Sequence, residues 1–291
     1  MNLKRMVRSS KKVLVLGING QLGTAVRKYI SKYYSVVNSE LENSFNPDIT
    51  DRDSLESVVA TSSPDYVINC AAMTNVDICE RDKELAYNIN VNGIKNIISA
   101  TSKDTKLVHI STDYVFDGSK HMYKEEDQPN PLSYYGKTKL ESENILRGSN
   151  RNYLIIRTSV IFGGSKNNFY RWVFDSVREG KDISVVTDQI SNPTWSWSLS
   201  EAIYKAIVNN LQGVYHYAGD EIISRYEFAK KIAEINKLDT NKITPILTAD
   251  LNQIADRPKL SSLSTAKIKE VIDIEHPNLD YVINVIARND L

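Results

Sequence analysis

A short apolar run, Lys12-Val-Leu-Val-Leu-Gly17, breaks into three glycines spaced three apart (Gly17, Gly20 and Gly23) and then into an amphipathic stretch. No other segment restricts the fold as strongly. Val13 to Leu16 reads as a buried parallel strand. A turn without Cβ atoms then lets backbone N–H groups approach a pyrophosphate at a helix N-terminus. The spacing Gly-x-x-Gly-x-x-Gly differs from the Gly-x-Gly-x-x-Gly of the common dinucleotide-binding turn, and glycines also follow strands for packing reasons. The cofactor reading therefore needs support from elsewhere in the chain.

That support is Ser111-Thr112-Asp113-Tyr114 followed by Tyr135-Gly-Lys-Thr-Lys139. Positions i and i+4 share a helix face, so Tyr135 and Lys139 point into one site. A phenol with a pKa near 10 exchanges protons poorly at neutral pH, and a nearby ammonium favours its ionised form. Tyr135 beside Lys139 is thus a candidate proton donor to a carbonyl. Tyr134 pairs at i+4 only with Thr138, and Lys137 lies roughly 200° around the helix from Tyr135 at ~100° per residue. Ser111 or Thr112 ends the apolar run Leu107-Val-His-Ile110, where a hydroxyl meets a substrate oxygen; the sequence leaves the choice between them open. The bland alternative is an exposed helix face beside a proline-rich loop.

The order of patterns predicts an alternating α/β architecture: a Rossmann-type, doubly wound parallel sheet with a smaller C-terminal substrate-binding lobe. Expected strands are Val13–Leu16, Val36–Val37, Tyr66–Asn69, Leu107–Ile110 and Tyr153–Arg157, with helices near 23–33, 53–61, 82–102 and 135–148. Further helices are expected near 169–179, 199–210 and 225–236, and a strand near 183–186. The division expected is a basic mobile tail over 1–11, a dinucleotide-binding domain over 12–160 and a mainly substrate-binding lobe over 161–291. A segment near 183–215 is expected to return to the first domain. Asp117 to Pro131, polar and carrying two prolines, reads as a loop over the active site.

Among the 291 residues, 36 basic side chains balance 36 acidic ones, so no global field favours nucleic acid or an anionic membrane. Apolar residues make up 41% of the chain, enough for a large core, yet no run approaches the ~20 residues that span a bilayer. Met1 to Lys12 lacks the apolar centre of a secretory signal. Cys70 and Cys79 have no metal-type companions and read as reduced thiols in the cytoplasm, and no metal site is expected. Asp77 and Glu80 fit a helix capping box, N-cap and N3. Trp195 and Trp197 are expected on one face of a strand, as core.

With these residues in hand, the chain resembles the extended short-chain dehydrogenase/reductases, and within them the dTDP-4-dehydrorhamnose reductase group. The marks are Gly17-x-x-Gly20-Gln-Leu-Gly23, Asn69-Cys-Ala-Ala72-Met-Thr74-Asn-Val-Asp77-x-x-Glu80, Ser111-Thr-Asp-Tyr-Val-Phe-Asp-Gly118 and Tyr135-Gly-Lys-Thr-Lys139. Arg157-Thr-Ser159, Asn167-Asn-Phe169, Asp188-Gln189, Pro193-Thr194, Arg257-Pro258 and Ser262-Leu263 follow in order, so the resemblance covers nearly the whole chain. It implies reduction of the 4-keto group of a nucleoside-diphosphate 4-dehydro-6-deoxyhexose by NADPH, with NADH as an alternative, in a protein that forms a homodimer. The catalytic residues it implies are Tyr135, Lys139 and Thr112, or Ser111 in the other register, with Lys139 also bonding the nicotinamide ribose. Cofactor contacts are implied at Gly17, Asn19, Gly20, Gln21, Leu22, Gly23, Asp48, Ile49, Ala71, Ala72 and Thr74. Substrate contacts are implied at Thr74, Val115, Phe116, Val160, Asn168 and Arg257.

Asp48-Ile49 either lies against the adenine, as the resemblance implies, or caps a turn. The expected second strand ends at Asn38-Ser39-Glu40 with no arginine for a 2′-phosphate, and Glu40 is either the acid for a ribose hydroxyl or a solvated loop residue. Two positions depart from the family pattern: Val160 stands where a tryptophan usually follows Arg-Thr-Ser, and Ser191 replaces a glycine. Asp113 occupies the place of the cysteine of related bifunctional epimerase/reductases, which argues for reduction alone. A second class of answer is an NADP-binding regulatory subunit like that of methionine adenosyltransferase, and the presence of Tyr135, Lys139 and the hydroxyl together favours the enzyme.

Overall fold

The computed structural model describes residues 10–37, 47–164, 168–274 and 277–289. The expectations placed on the N-terminal tail and on Asn38-Ser39-Glu40 fall largely or wholly outside these residues. Strand β1 (Lys12–Leu16) runs through the glycine turn into α1 (Gln21–Ile30), and β2 (Ser35–Val36) follows. Next come α2 (Arg52–Ser62) and β3 (Tyr66–Asn69), and then the short helices α3 (Val76–Arg81) and α4 (Lys83–Tyr87). One π-helical turn, Asn88–Asn92, separates α4 from α5 (Gly93–Ala100). Strand β4 (Lys106–Thr112), α6 (Tyr134–Gly148) and β5 (Tyr153–Thr158) complete this half of the chain.

Beyond β5 lie β6 (Ile161–Phe162), α7 (Phe169–Arg178), β7 (Ile183–Val186), β8 (Ile190–Ser191) and β9 (Thr194–Trp195). They are followed by α8 (Ser196–Val208), β10 (Gly213–His216), β11 (Ile223–Ser224), α9 (Arg225–Ile235), β12 (Ile243–Ile246), α10 (Ala266–Val271) and α11 (Leu279–Asn289).

The main sheet has six strands in the order β10-β5-β4-β3-β1-β2, all parallel. Its central strands are almost wholly apolar because helices bury both faces. On one face, Val13, Val15, Val108, Ile110, Leu154 and Ile156 pack against Leu22 and Val26 of α1 and Leu199 and Ile203 of α8. On the other, Leu14, Leu16, Val67, Leu107 and Ile155 meet Leu55 of α2, Ile94 and Ile97 of α5 and Leu146 of α6. The winding reverses at β1, and the crevice beside the carboxyl end of that strand is where ligands of such sheets bind. Within 183–215, β7 pairs with β12 outside the main sheet, whereas α8 packs on α1 and β10 joins the sheet beside β5.

A separate core holds the outer elements together: Tyr170, Val173 and Val177 of α7, Ile183 and Val185 of β7, Phe228 and Ile232 of α9, and Val282 and Ile283 of α11. Three sequence expectations need correction here. The stretch 82–102 is not one helix, because the π turn widens the backbone at Asn88–Asn92. Trp195 and Trp197 do not share a strand: Trp195 ends β9 beside the outer core, while Trp197 sits in α8 edge-on to Tyr29 with Lys32 over its ring. The segment 117–131 does not cover the site. Tyr123 stacks on Phe116, the Tyr123 N–H bonds the Ser262 carbonyl, and Glu125 accepts the His216 N–H, so the segment is fastened to the end of β10 and the 262 loop and lines neither the cavity nor the groove described below. Among the described residues no helix is long and apolar enough to cross a membrane.

Candidate active site

Gly17 adopts φ +73°, and a Cβ there would lie 2.7 Å from the Ala71 nitrogen, so the loop after β3 can press against the turn only when this position is glycine. A Cβ on Gly23 would collide with the Gly17 carbonyl. The turn closes through the Gly20 N–H on the Gly17 carbonyl at 2.9 Å. No side chain caps α1 at Gly20, which leaves first-turn N–H groups facing outward for an anion. Asn19 is exposed on this turn. The Gln21 Nε2 is buried without a partner among the described residues, a donor that a bound dinucleotide would satisfy. The glycine cradle and this orphaned amide fit such a cofactor.

An inner cavity of about 430 Å³ joins the turn to the ends of β4 and β5; Gly20, Gln21, Leu22, Ala72, Thr74, Thr112, Tyr135 and Lys139 all line it. Asp48 and Ile49 do not line it. The Asp48 carboxylate accepts the N–H and hydroxyl of Thr50, and buried Ile49 packs on Gly93 and gives its carbonyl to Asn96.

Helix α6 starts at Ser133, whose hydroxyl accepts the Gly136 N–H, and Glu80 accepts the Tyr134 N–H at 2.9 Å, so the register of Tyr135 is fixed from two sides. Tyr135 and Lys139 are both buried. Lys139 Nζ donates to the Ile110 carbonyl at 2.8 Å and lies 3.2 Å from His109 Nε2. Burial pushes the Lys139 pKa down to about 8 against the opposing pull of Glu143. Burial raises the Tyr135 phenol above its ordinary value, while a hydrogen bond with Thr112 lowers it. The ammonium is thus held by β4, and burial is the larger influence on the phenol, which stays protonated.

Thr112 Oγ1 accepts the Tyr114 N–H at 3.2 Å and donates to Asp113. The Asp113 carboxylate is buried, takes further hydrogen bonds from Ser159 and Ser261, and is raised in pKa by its burial. Ser111, the other register, is corrected. Its side chain alternates to the opposite face of β4 and donates to Glu143 at 2.5 Å, and Arg157 holds that carboxylate in a buried ion pair at 2.7 Å. Thr112 is the hydroxyl beside Tyr135.

A wide groove of about 1160 Å³ opens from the cavity toward α7, sharing Thr74, Tyr114, Asn168 and Arg225 with it. Asn168 caps α7 by accepting the Arg171 N–H and also donates to the Gly163 carbonyl. Val160 borders the cavity at φ +42°, a strained conformation for a β-branched residue. Val115 and Phe116, expected against substrate, are fully buried with Tyr123, Ala218 and Leu263 and line neither space, a correction that follows from the inward turn of the chain after Thr112. The capping box is also corrected: Asn75 caps α3. Asp77 instead crosses to the 254–257 segment, accepting two backbone N–H groups and pairing with Arg257 through both oxygens at 3.0 Å.

Sequence reasoning missed the supports of this site. Asn90, in the π turn, bonds both the N–H and the carbonyl of Met73 and reaches the Thr138 hydroxyl, tying the 70–74 loop to α6. The middle asparagine of Asn88-Ile-Asn90-Val-Asn92, set between two apolar residues, was the available signal. His109, Glu143 and Arg225 likewise carried no motif of their own.

A doubly wound sheet whose glycine turn, Tyr135, Lys139 and Thr112 meet in one cavity defines the extended short-chain dehydrogenase/reductase class. The family described as the RmlD substrate binding domain matches residues 11–289, and the chain belongs to it. It is 34% identical over 279 residues to a dTDP-4-dehydrorhamnose reductase of Aggregatibacter actinomycetemcomitans, covering 91% of this chain and 94% of that one. It superposes on the dTDP-4-dehydrorhamnose reductase of Bacillus anthracis str. Ames in complex with NADP with a TM-score of 0.90, at 32% identity, covering 97% of this chain and 100% of that one. It is also 28% identical to subunit beta of methionine adenosyltransferase 2 from Danio rerio, over 89% of this chain and 84% of that one.

Proposed function

We propose that this protein reduces the 4-keto group of dTDP-4-dehydro-L-rhamnose with NADPH, giving dTDP-L-rhamnose. The observation that carries the reading is the Tyr135–Thr112 contact in one cavity with the buried Lys139, a cavity that begins at the glycine turn and opens into a groove of nucleotide-sugar size. The bound nicotinamide supplies the hydride. Tyr135 hydrogen-bonds the carbonyl oxygen and releases its proton as negative charge develops there; a raised phenol pKa keeps that proton in place until then. Thr112 holds the phenol oxygen and, with its own oxygen steadied by the Tyr114 N–H, turns its hydroxyl from Asp113 toward the carbonyl oxygen when substrate binds. Lys139, protonated below about pH 8, stabilises the phenolate left behind and would hydrogen-bond the ribose of a bound nicotinamide nucleotide.

Thr74, Asn168 and Val160 face the sugar in this reading. Arg257, held by Asp77, shapes the groove wall, and Arg225, ring-stacked over Phe169 at 5.2 Å, stands where a diphosphate needs a cation. The likeness to the adenosyltransferase subunit does not displace the enzyme reading, because the phenol, amine and hydroxyl are all present and in contact with one cavity. Free thiols at Cys70 and Cys79 suit a cytoplasmic location. The family homodimer belongs to the same proposal and is tested by sedimentation.

The direct experiment measures NADPH oxidation across a panel of 4-keto sugar nucleotides. dTDP-4-dehydro-L-rhamnose is expected to give the highest kcat/KM. Higher kcat/KM with another 4-keto sugar overturns the substrate, and silence across the panel in protein that binds NADPH overturns the reductase.

A further inference from the structure

Besides Gln21 Nε2, the inner cavity has a second buried polar atom with no hydrogen-bond partner among the described residues: the hydroxyl of Thr158. Thr158 is 3% exposed, so solvent does not serve it. It is the last residue of β5 and stands in register with Thr112 across the β4–β5 ladder. Alternation along a strand puts Thr158 on the face of Leu154 and Ile156, the face that α1 and α8 cover, and therefore on the side where α1 begins with Gln21 and Leu22.

Two ligand paths reach Tyr135, one from the glycine turn and one from the outer groove. Thr158 and Gln21 line the inner cavity, and neither lines the groove. Because Thr158 also faces the side on which α1 begins, its missing partner is assigned to the ligand that crosses from the turn rather than to the sugar nucleotide.

We propose that Thr158 is a cofactor-binding residue whose hydroxyl takes the carboxamide of the nicotinamide ring and fixes the ring's rotation beside Thr112 and Tyr135. The proposal rests on the reading above that a nicotinamide dinucleotide binds here. A carboxamide suits the position because it carries an N–H donor and a carbonyl acceptor on one plane, so a hydroxyl is satisfied in either sense. Gln21 Nε2, a donor only, takes an oxygen of the same ligand.

The test replaces the hydroxyl by a methyl of nearly the same shape, Thr158→Val, and titrates two ligands calorimetrically: NADPH and 2′-phospho-ADP-ribose, which lacks the nicotinamide. The dissociation constant for NADPH is expected to rise about tenfold, the scale of one lost hydrogen bond in a buried site. That for 2′-phospho-ADP-ribose stays unchanged, and Thr158→Ser behaves like the native protein toward both. The unliganded Tm of the valine variant holds or rises, because an unsatisfied buried hydroxyl has been removed. Unchanged NADPH affinity, equal weakening of both ligands, or a raised KM for the keto sugar alone each overturns the assignment. Failure of the native protein to bind NADPH overturns the cofactor reading itself and appears without any comparison of variants.

Discussion

At the carboxyl edge of the central strands the polar groups are buried and held by the backbone: Lys139 by the Ile110 carbonyl, Thr112 by the Tyr114 N–H, and the start of α6 by Ser133 and Glu80. In the outer groove the side chains are long and partly solvated. Trp172 is 46% exposed, Arg171 lies over Phe174 and pairs with the half-buried Asp175, and Arg225 lies over Phe169. Buried side chains held by backbone hydrogen bonds are fixed to within a fraction of a hydrogen-bond length, which proton transfer requires, while partly solvated side chains repack at little cost. The comparison assigns the reaction type to the edge and substrate choice to the groove, so substitutions in the two regions must fail differently.

The largest effect is expected at the edge. Tyr135→Phe should lower kcat at least about a hundredfold, the lower scale for a positioned general acid, while NADPH affinity measured by fluorescence titration stays unchanged. Near-normal turnover in the folded variant removes Tyr135 from the mechanism. Lys139→Ala should reduce both kcat and NADPH affinity, whereas Lys137→Ala, on the exposed side of α6, should leave both intact. Equal losses in the two variants would mean that the helix presents a different face.

The same lysine gives a pH signature. Burial favours its neutral form, so the ammonium that attracts cofactor is present below about pH 8 and lost above it, and NADPH affinity should fall as the pH rises through that value. Stability moves the other way: between about 8 and the unperturbed 10.5 the unfolded chain holds a proton that the native chain does not, so this group makes the fold more stable as pH rises over that window. An affinity for NADPH that is flat to pH 10 contradicts the assignment of the charge.

A smaller effect is expected at the groove wall. Arg257→Ala releases the bidentate contact with Asp77 that clamps the 254–257 segment to α3, and should raise KM for the keto sugar about tenfold, the worth of one well-aligned charged contact, with kcat little changed. A matching fall in kcat would mean that the groove and the edge are not separable.

How far these regions were legible in the sequence follows from the same contrast. The glycine turn and the Tyr135/Lys139 spacing could be read because each is a local rule, one of backbone sterics and one of helix periodicity. Thr112 could not be separated from Ser111 until the strand's alternation was tied to a partner: Glu143, thirty-two residues on from Ser111, decides it. Asp77 and Glu80 matched a local capping rule, yet their real partners, Arg257 and Tyr134, are distant in sequence, and no local pattern encodes such contacts. Val115 and Phe116 were misplaced because a motif marks where a chain passes, not which way its side chains turn.

The smallest effect on rate is expected at Val160, where cavity and groove meet. Val160→Trp adds a flat wall beside the hexose, and should change the ranking of 4-keto sugar substrates while the best kcat stays within about threefold, since a ring-wall contact of roughly 0.5–1.5 kcal/mol acts on binding. Uniform loss on every substrate would place Val160 in the reacting geometry instead.

The central claim, that hydride reaches C4 of the sugar and a proton its carbonyl oxygen at the carboxyl end of the sheet, is tested most directly by isotope. The protein is incubated with dTDP-4-dehydro-L-rhamnose and NADPH deuterated at the transferred position of nicotinamide C4, and the product is read by mass spectrometry and NMR. The account predicts one deuterium, at C4 of dTDP-L-rhamnose, with Tyr135→Phe giving the same product far more slowly. Deuterium at another carbon, or NADPH oxidation with no label in the sugar, would contradict it.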